Sequence, residues 1–134
     1  MRRHRAAWCG ALLLLLAATG CTATMSPFGR EAGKAGSGFA AAMTTLTYAH
    51  QGKLPVTYAR GSFAGFDSEL AGIDQRLPAL DGAPDSRVVR QLVAVAGPAL
   101  RAVRQPCLDE GCDWRGQVAA LQRASAAFLA ASGG

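Results

Sequence analysis

Hydrophobic residues recur at helical spacing in four stretches of the chain. Each stretch repeats at steps of three and four residues, which places its apolar positions on one face of an α-helix. No convincing alternation of period two competes, and the only short candidate for extended structure is 54–58, where Pro55 discourages strand pairing. The four stripes are Phe39-Met43-Leu46-His50, Phe63-Phe66-Leu70-Ile73-Leu77, Val89-Leu92-Ala96-Leu100-Val103 and Trp114-Val118-Leu121-Ser125-Phe128.

Residues that start and stop helices bracket these stripes. Pro98 falls inside the third stripe, where a proline removes a backbone donor and crowds the preceding turn, so this helix should kink or split around Gly97 and Pro98. The boundary signals are Gly52 after the first stripe, Ser62 before and Pro78 after the second, Asp85 or Ser86 before the third, and Asp113 before the fourth.

The segment 21–38 is expected to be a flexible tether in front of the helices. It is rich in Gly, Ser, Thr and Ala, and its four glycines would each cost a helix about 1 kcal/mol. The alternative is that Ser26 and Pro27 cap an early helix. The chain thus divides into a leader (1–20), a tether (21–38) and a helical domain (39–134), and the domain is predicted to be an all-α, antiparallel four-helix bundle with one kinked helix.

The first twenty-one residues have the layout of an export signal. Arg2, Arg3 and Arg5 give a cationic start, an apolar run through Leu12–Leu16 follows, and small residues stand directly before Cys21. This end resembles the lipobox of bacterial lipoproteins. The resemblance implies that a dedicated signal peptidase cuts before Cys21, that acyl chains are attached to this cysteine, and that it becomes the first residue of the mature protein.

Other interpretations of the leader concern anchoring and location. A transmembrane helix needs roughly 20 apolar residues, whereas residues 6–20 supply only fifteen. A secretory signal cleaved without lipidation would use the same small residues. The lipobox resemblance implies a protein anchored in the cell membrane or outer membrane and facing the periplasm or the exterior. Thr22 stands where proteins of this class that stay in the inner membrane usually carry Asp, which implies the outer membrane.

Removing the leader changes the charge and the cysteine inventory. The full chain is formally +5, but three of its fourteen Lys and Arg lie in the leader, which leaves eleven against nine Asp and Glu, or +2. This balance argues against nucleic acid as a partner.

Cys9 leaves with the leader and Cys21 is the acylation candidate, so Cys107 and Cys112 remain to pair. In an oxidising envelope we expect a structural disulfide, although a redox pair or a soft-metal site would use the same residues.

The third predicted helix places four arginines opposite its apolar stripe. Arg87 and Arg101, like Arg90 and Arg104, are fourteen residues apart, which returns them to nearly the same side of a helix. One interpretation is a solvated surface that pairs with aspartates of the second helix. The other is a contact surface for anionic headgroups or an acidic partner.

A second candidate surface consists of small residues on the second helix. Gly61, Gly65, Ser68 and Gly72 recur at steps of four, three and four, roughly away from the large apolar stripe. Such a face lets another backbone approach closely. It would serve packing within the bundle or docking of a partner helix, or it reflects only the small-residue bias of the composition.

Catalytic and metal-binding signatures are missing from the sequence. It has no nucleophile elbow, zinc-protease motif, phosphate-binding glycine loop or haem-attachment motif. One histidine, His50, survives removal of the leader, which is too few for a familiar triad or zinc site. We therefore expect no enzyme, cofactor or metal.

The function expected from these features is that of an envelope lipoprotein whose helical domain binds another envelope protein, with envelope maintenance or toxin neutralisation as possible roles. The alternative is a bundle that binds a small apolar molecule between its helices. Both need the same amphipathic helices, so the sequence leaves them unresolved.

Overall fold

The structure, a computed structural model, describes residues 25–133. Helices account for 77% of these residues and no strand occurs among them, which confirms the all-α prediction. The leader, Cys21 and residues 22–24 lie outside the described part. The elements are α1 (Pro27–His50), α2 (Val56–Leu70), α3 (Ile73–Arg76) with a 3₁₀ turn (Leu77–Ala79), α4 (Ser86–Arg104) and α5 (Trp114–Ser132).

The four long helices run alternately up and down around a square. α1 packs against α5 and α2, and α4 packs against the same two helices, so α1 and α4 lie across the diagonal. We call one end the base, where the N–H of Phe28 donates to the carbonyl of Asp81 at 3.1 Å. The distal end holds the α1–α2 and α4–α5 connections. The antiparallel four-helix bundle is therefore confirmed.

Phenylalanines from three helices fill the interior. Phe28, Phe39, Phe63 and Phe128 are each no more than 2% exposed, and the rings of Phe39 and Phe128 meet edge to face at 5.5 Å. Small side chains between them let the helices approach closely, as the alanine-rich sequence requires. The buried alanines of α1, α4 and α5 are Ala32, Ala35, Ala42, Ala96, Ala99, Ala102, Ala120 and Ala124.

The predicted flexible tether over 21–38 is wrong from Pro27 onward. α1 begins at Pro27, and the hydroxyl of Ser26 caps it by accepting from the N–H of Gly29 at 3.0 Å. This is the alternative start that the Ser-Pro pair offered. The helical unit thus begins at Pro27 rather than at residue 39, and five residues, 22–26, separate Cys21 from the first helix.

Tertiary packing against α5 explains why glycines are tolerated in α1. A Cβ on Gly36 would lie 2.7 Å from the Cγ of Leu129 and 3.0 Å from its backbone nitrogen. The buried hydroxyl of Ser125 donates to the carbonyl of Gly36 at 2.9 Å. Glycine therefore permits the close approach of α1 and α5, and the packing between these two helices offsets its poor helix propensity.

The second helix differs from its prediction at both ends. It begins at Val56, directly after Pro55, so residues 56–58 are helical rather than extended. Ser62 lies inside the helix, where its hydroxyl donates to the carbonyl of Tyr58 at 3.1 Å rather than capping an N-terminus. The helix stops at Leu70 because Gly72 adopts a left-handed φ of +74°.

The last two helices begin where the sequence predicts. Asp85 caps α4 and Asp113 caps α5, and each carboxylate accepts a backbone N–H of the first turn, at 2.7 Å and 2.9 Å. Pro98 lies inside α4 without splitting it. One helix of the bundle bends by 16°, and the prediction of one kinked helix is confirmed. The Cys107–Cys112 disulfide is also confirmed, with 5.8 Å between the Cα atoms.

Candidate interaction surfaces

The α4 arginine face consists of Arg87, Arg90, Arg101 and Arg104. All four side chains are exposed, on the side of α4 that points away from the core. The guanidinium of Arg104 lies 3.8 Å from a carboxylate oxygen of Asp67 on α2, so the expected pairing with the second helix occurs at one position. The face spans about 25 Å, since Arg87 and Arg104 are seventeen residues apart in the helix. It is a long cationic strip rather than a compact pocket.

The small-residue face of α2 does not pack within the bundle. Gly61, Gly65 and Ser68 are exposed, and a Cβ on either of these glycines would meet no atom within 4 Å. Gly72 lies beyond the helix, in the turn before α3. The intramolecular packing hypothesis is therefore wrong for Gly61 and Gly65, and the structure gives the four residues no shared groove.

A cluster at the distal end joins α1 to the disulfide turn. The Nε2 of His50 lies 2.6 Å from the carbonyl oxygen of Cys107, which requires this nitrogen to carry the proton because a carbonyl only accepts. The imidazole stacks on the indole of Trp114, with ring centroids 4.4 Å apart and planes within 5°. His50 thus has a structural role, as expected for a half-buried residue at a helix end.

The disulfide turn is also held to α5 from the other side. The side-chain oxygen of Gln117 accepts the N–H of Cys107 at 2.7 Å, while its side-chain nitrogen donates to the carbonyl of Gln105 at 3.0 Å. Cys107 is buried and Cys112 is exposed. These contacts fix the turn in space and fit a structural staple.

Among residues 25–133, no group of three or more His, Cys, Asp and Glu side chains is arranged to hold a metal ion. In the same part of the chain, no helix combines the length and hydropathy needed to cross a bilayer.

An open groove of about 920 Å³ runs along the outer side of α1. We call it the α1 groove. Its floor is made of the small residues Gly33, Ser37 and Ala41. Leu129 of α5 forms one wall, and Met25 lies at the base of the groove. The residues of the opposite wall, on α2 and α3, are Phe66, Glu69, Leu70 and Ile73.

A smaller apolar depression of about 640 Å³ lies on the neighbouring side of the bundle, between α4 and α5. Val88, Val95 and alanines of both helices line it. It and the α1 groove are open to solvent and lie outside the phenylalanine core.

Sequence reasoning missed the α1 groove and the contact between His50 and Trp114. The prediction of a tether over 21–38 leaves no helix there on which the groove could form. The recurrence of Gly29, Gly33 and Gly36 beside Phe28 and Phe39 was the available signal, since small residues at steps of three and four also indicate a closely packed helix.

No family model, curated protein or solved structure matches the chain.

Proposed function

We propose that this chain is a bacterial envelope lipoprotein, anchored through acyl chains on Cys21, whose helical bundle is a non-enzymatic module that binds another envelope protein. The anchor is proposed from the order of features in the first twenty-one residues: arginines, a leucine run, and small residues directly before Cys21. If Cys21 is the anchor, the five residues between it and α1 would keep the bundle close to the membrane.

The α4 arginine face is the surface proposed to bind the partner. It is exposed over its whole length, and α4 lies across the bundle from α1, the helix that follows the anchor. Arg90 and Arg101 are the two arginines of this face best suited to a test. Arg104 already lies near Asp67, and the backbone N–H of Arg87 takes part in the Asp85 cap. Complementary charge favours an acidic partner and speeds its encounter with the arginine face.

The alternative of an apolar ligand between the helices has less support. Phe28, Phe39, Phe63 and Phe128 occupy the space between the long helices, whereas such ligands usually enter a preformed cavity.

The anchor is tested by changing Cys21 to Ser in cells that express the full chain. We expect the wild-type product extracted from membranes to have the mass of a chain that starts at Cys21 plus acyl groups. The C21S product should lose both this mass and its membrane association. An unaltered membrane-bound mass in the variant would contradict the proposal.

The partner surface is tested by crosslinking in cells with a double charge reversal, Arg90→Glu with Arg101→Glu. The matched control is Arg60→Glu with Arg115→Glu, which reverses two other exposed arginines away from this face. We expect a reproducible crosslinked protein that the first pair removes and the control pair retains. Equal loss or equal retention in the two variants would exclude the arginine face as the binding surface.

A further inference from the structure

Large apolar side chains are exposed around the α1 groove. Leu129 is 44% exposed on its wall, Met25 is 36% exposed at its base, and Tyr48 is 42% exposed farther along α1 at the distal end. Tyr48 is 23 residues beyond Met25, so these side chains are spread along the length of α1 rather than gathered in one patch. The small residues of the floor form a shallow trough between Met25 and Leu129, so this side offers apolar side chains along its length to a flat surface.

The charged side chains that line the groove balance in number, with two cations against two acids. Arg30 and Lys34 are exposed along the same side of α1. The carboxylate of Glu31 lies 3.3 Å from the ammonium of Lys34 and 4.0 Å from the guanidinium of Arg76, so Lys34 is paired with Glu31 and Arg30 is the lining cation outside this pair. Glu69 is the other acid that lines the groove. Long cationic side chains beside apolar ones are typical of helices that lie in a membrane interface.

The position of the anchor limits which side can face the membrane. Cys21 is four residues before Met25, so a fully extended connection reaches at most about 14 Å. In a square bundle with helices about 9 Å apart, the diagonal from the α1 axis to the α4 axis is about 13 Å. Adding a helix radius of about 5 Å puts the outer surface of α4 about 18 Å from α1. The connection is thus long enough to lay α1 on the membrane and too short to lay α4 there.

We infer that the bundle lies with its α1 groove against the lipid surface, so that the α4 arginine face points away from the membrane. This inference rests on the proposed anchor at Cys21. In this orientation Met25, Arg30, Lys34 and Leu129 contact the lipid. The four arginines of α4, for which headgroup contact was one hypothesis, do not.

The test uses the processed, lipid-carrying protein on vesicles of phosphatidylcholine and phosphatidylglycerol. One cysteine is introduced at Ser37→Cys in the groove, or at Ala94→Cys on α4 as the control, and is labelled with an environment-sensitive fluorophore. Both positions are exposed. We expect a blue shift at position 37 and several-fold stronger quenching there by a lipid-attached quencher, while position 94 keeps the signal of a water-exposed probe.

A further pair of variants tests the groove wall. Leu129→Glu should reduce the quenching at position 37, whereas Val88→Glu, at a residue 37% exposed beside the other depression, should leave it unchanged. Because Leu129 also packs on Gly36, circular dichroism and urea unfolding of both variants must first show that each is folded to the same extent as the parent protein. Equal effects of the two would overturn the assignment of the groove as the lipid contact.

The remaining outcomes separate this inference from the proposed function. Protein that floats with vesicles but shows equal quenching at positions 37 and 94, or stronger quenching at 94, overturns the orientation alone. A signal at position 37 that appears only at high surface density means that a second copy covers the groove, which also overturns it. Processed protein that does not float at all overturns the anchor and the inference together.

Discussion

The close packing of α1 against α5 can be tested with a single methyl group. Replacing Gly36 by Ala places a Cβ 2.7 Å and 2.9 Å from side-chain atoms of Leu129 and 3.0 Å from its backbone nitrogen. The side chain of Leu129 can rotate, but the backbone of α5 can move only if the helix shifts. Overpacking of this kind costs about 1–3 kcal/mol.

Gly65→Ala is the matched control, because it makes the same chemical change in another helix. A Cβ there meets nothing within 4 Å. Both substitutions improve helix propensity by about 1 kcal/mol, so this term cancels in the comparison. We expect Gly65→Ala to stabilise the protein by about 1 kcal/mol and Gly36→Ala to be less stable than Gly65→Ala by about 1–3 kcal/mol.

Urea unfolding followed by circular dichroism measures both free energies on the processed chain. The decisive quantity is the difference between the two variants. If Gly36→Ala is as stabilising as Gly65→Ala, then α1 and α5 do not approach closely, and the N-terminal turns of α1 are not part of the packed bundle. Adding Leu129→Ala to Gly36→Ala should recover part of the loss, since it removes the two side-chain contacts and leaves the backbone contact.

Three further predictions concern the core, the distal cluster and the surface. Phe128→Ala should lower the free energy of unfolding by about 3–5 kcal/mol, because the ring is 1% exposed and packs on Phe39; a loss under about 1 kcal/mol in urea unfolding would contradict the described core. In a chain that starts at Cys21, Trp114 is the only tryptophan, so the fluorescence of such a chain reports the distal cluster. His50→Ala should shift the emission to longer wavelength by exposing the stacked indole, and Tyr58→Ala should not. Arg104→Ala should change stability by no more than about 0.5 kcal/mol, since the ion pair with Asp67 is largely exposed; a double-mutant cycle with Asp67→Ala that gives a coupling well above about 1 kcal/mol would refute this.

The sequence alone was sufficient for features that depend on neighbouring residues. The caps of α4 and α5 were predictable because Asp85 and Asp113 satisfy N–H groups only two and three residues away. The Cys107–Cys112 disulfide was predictable for two reasons. The two cysteines are five residues apart, and the other two cysteines belong to the predicted leader and the predicted anchor. The apolar stripes of these helices likewise follow from helical periodicity.

The beginning of α1 depended on tertiary contacts that local rules do not contain. Helix propensity counts each glycine as a cost, and by that count the segment before Phe39 looked flexible. The contact that outweighs this cost joins Gly36 to Ser125, 89 residues later in the chain. The α1 groove and the stacking of His50 on Trp114 also arise only when distant helices meet. The sequence therefore determined which segments can be helical, while the fold decided where α1 begins and which of its faces remains open, because both depend on the free energy of packing between helices.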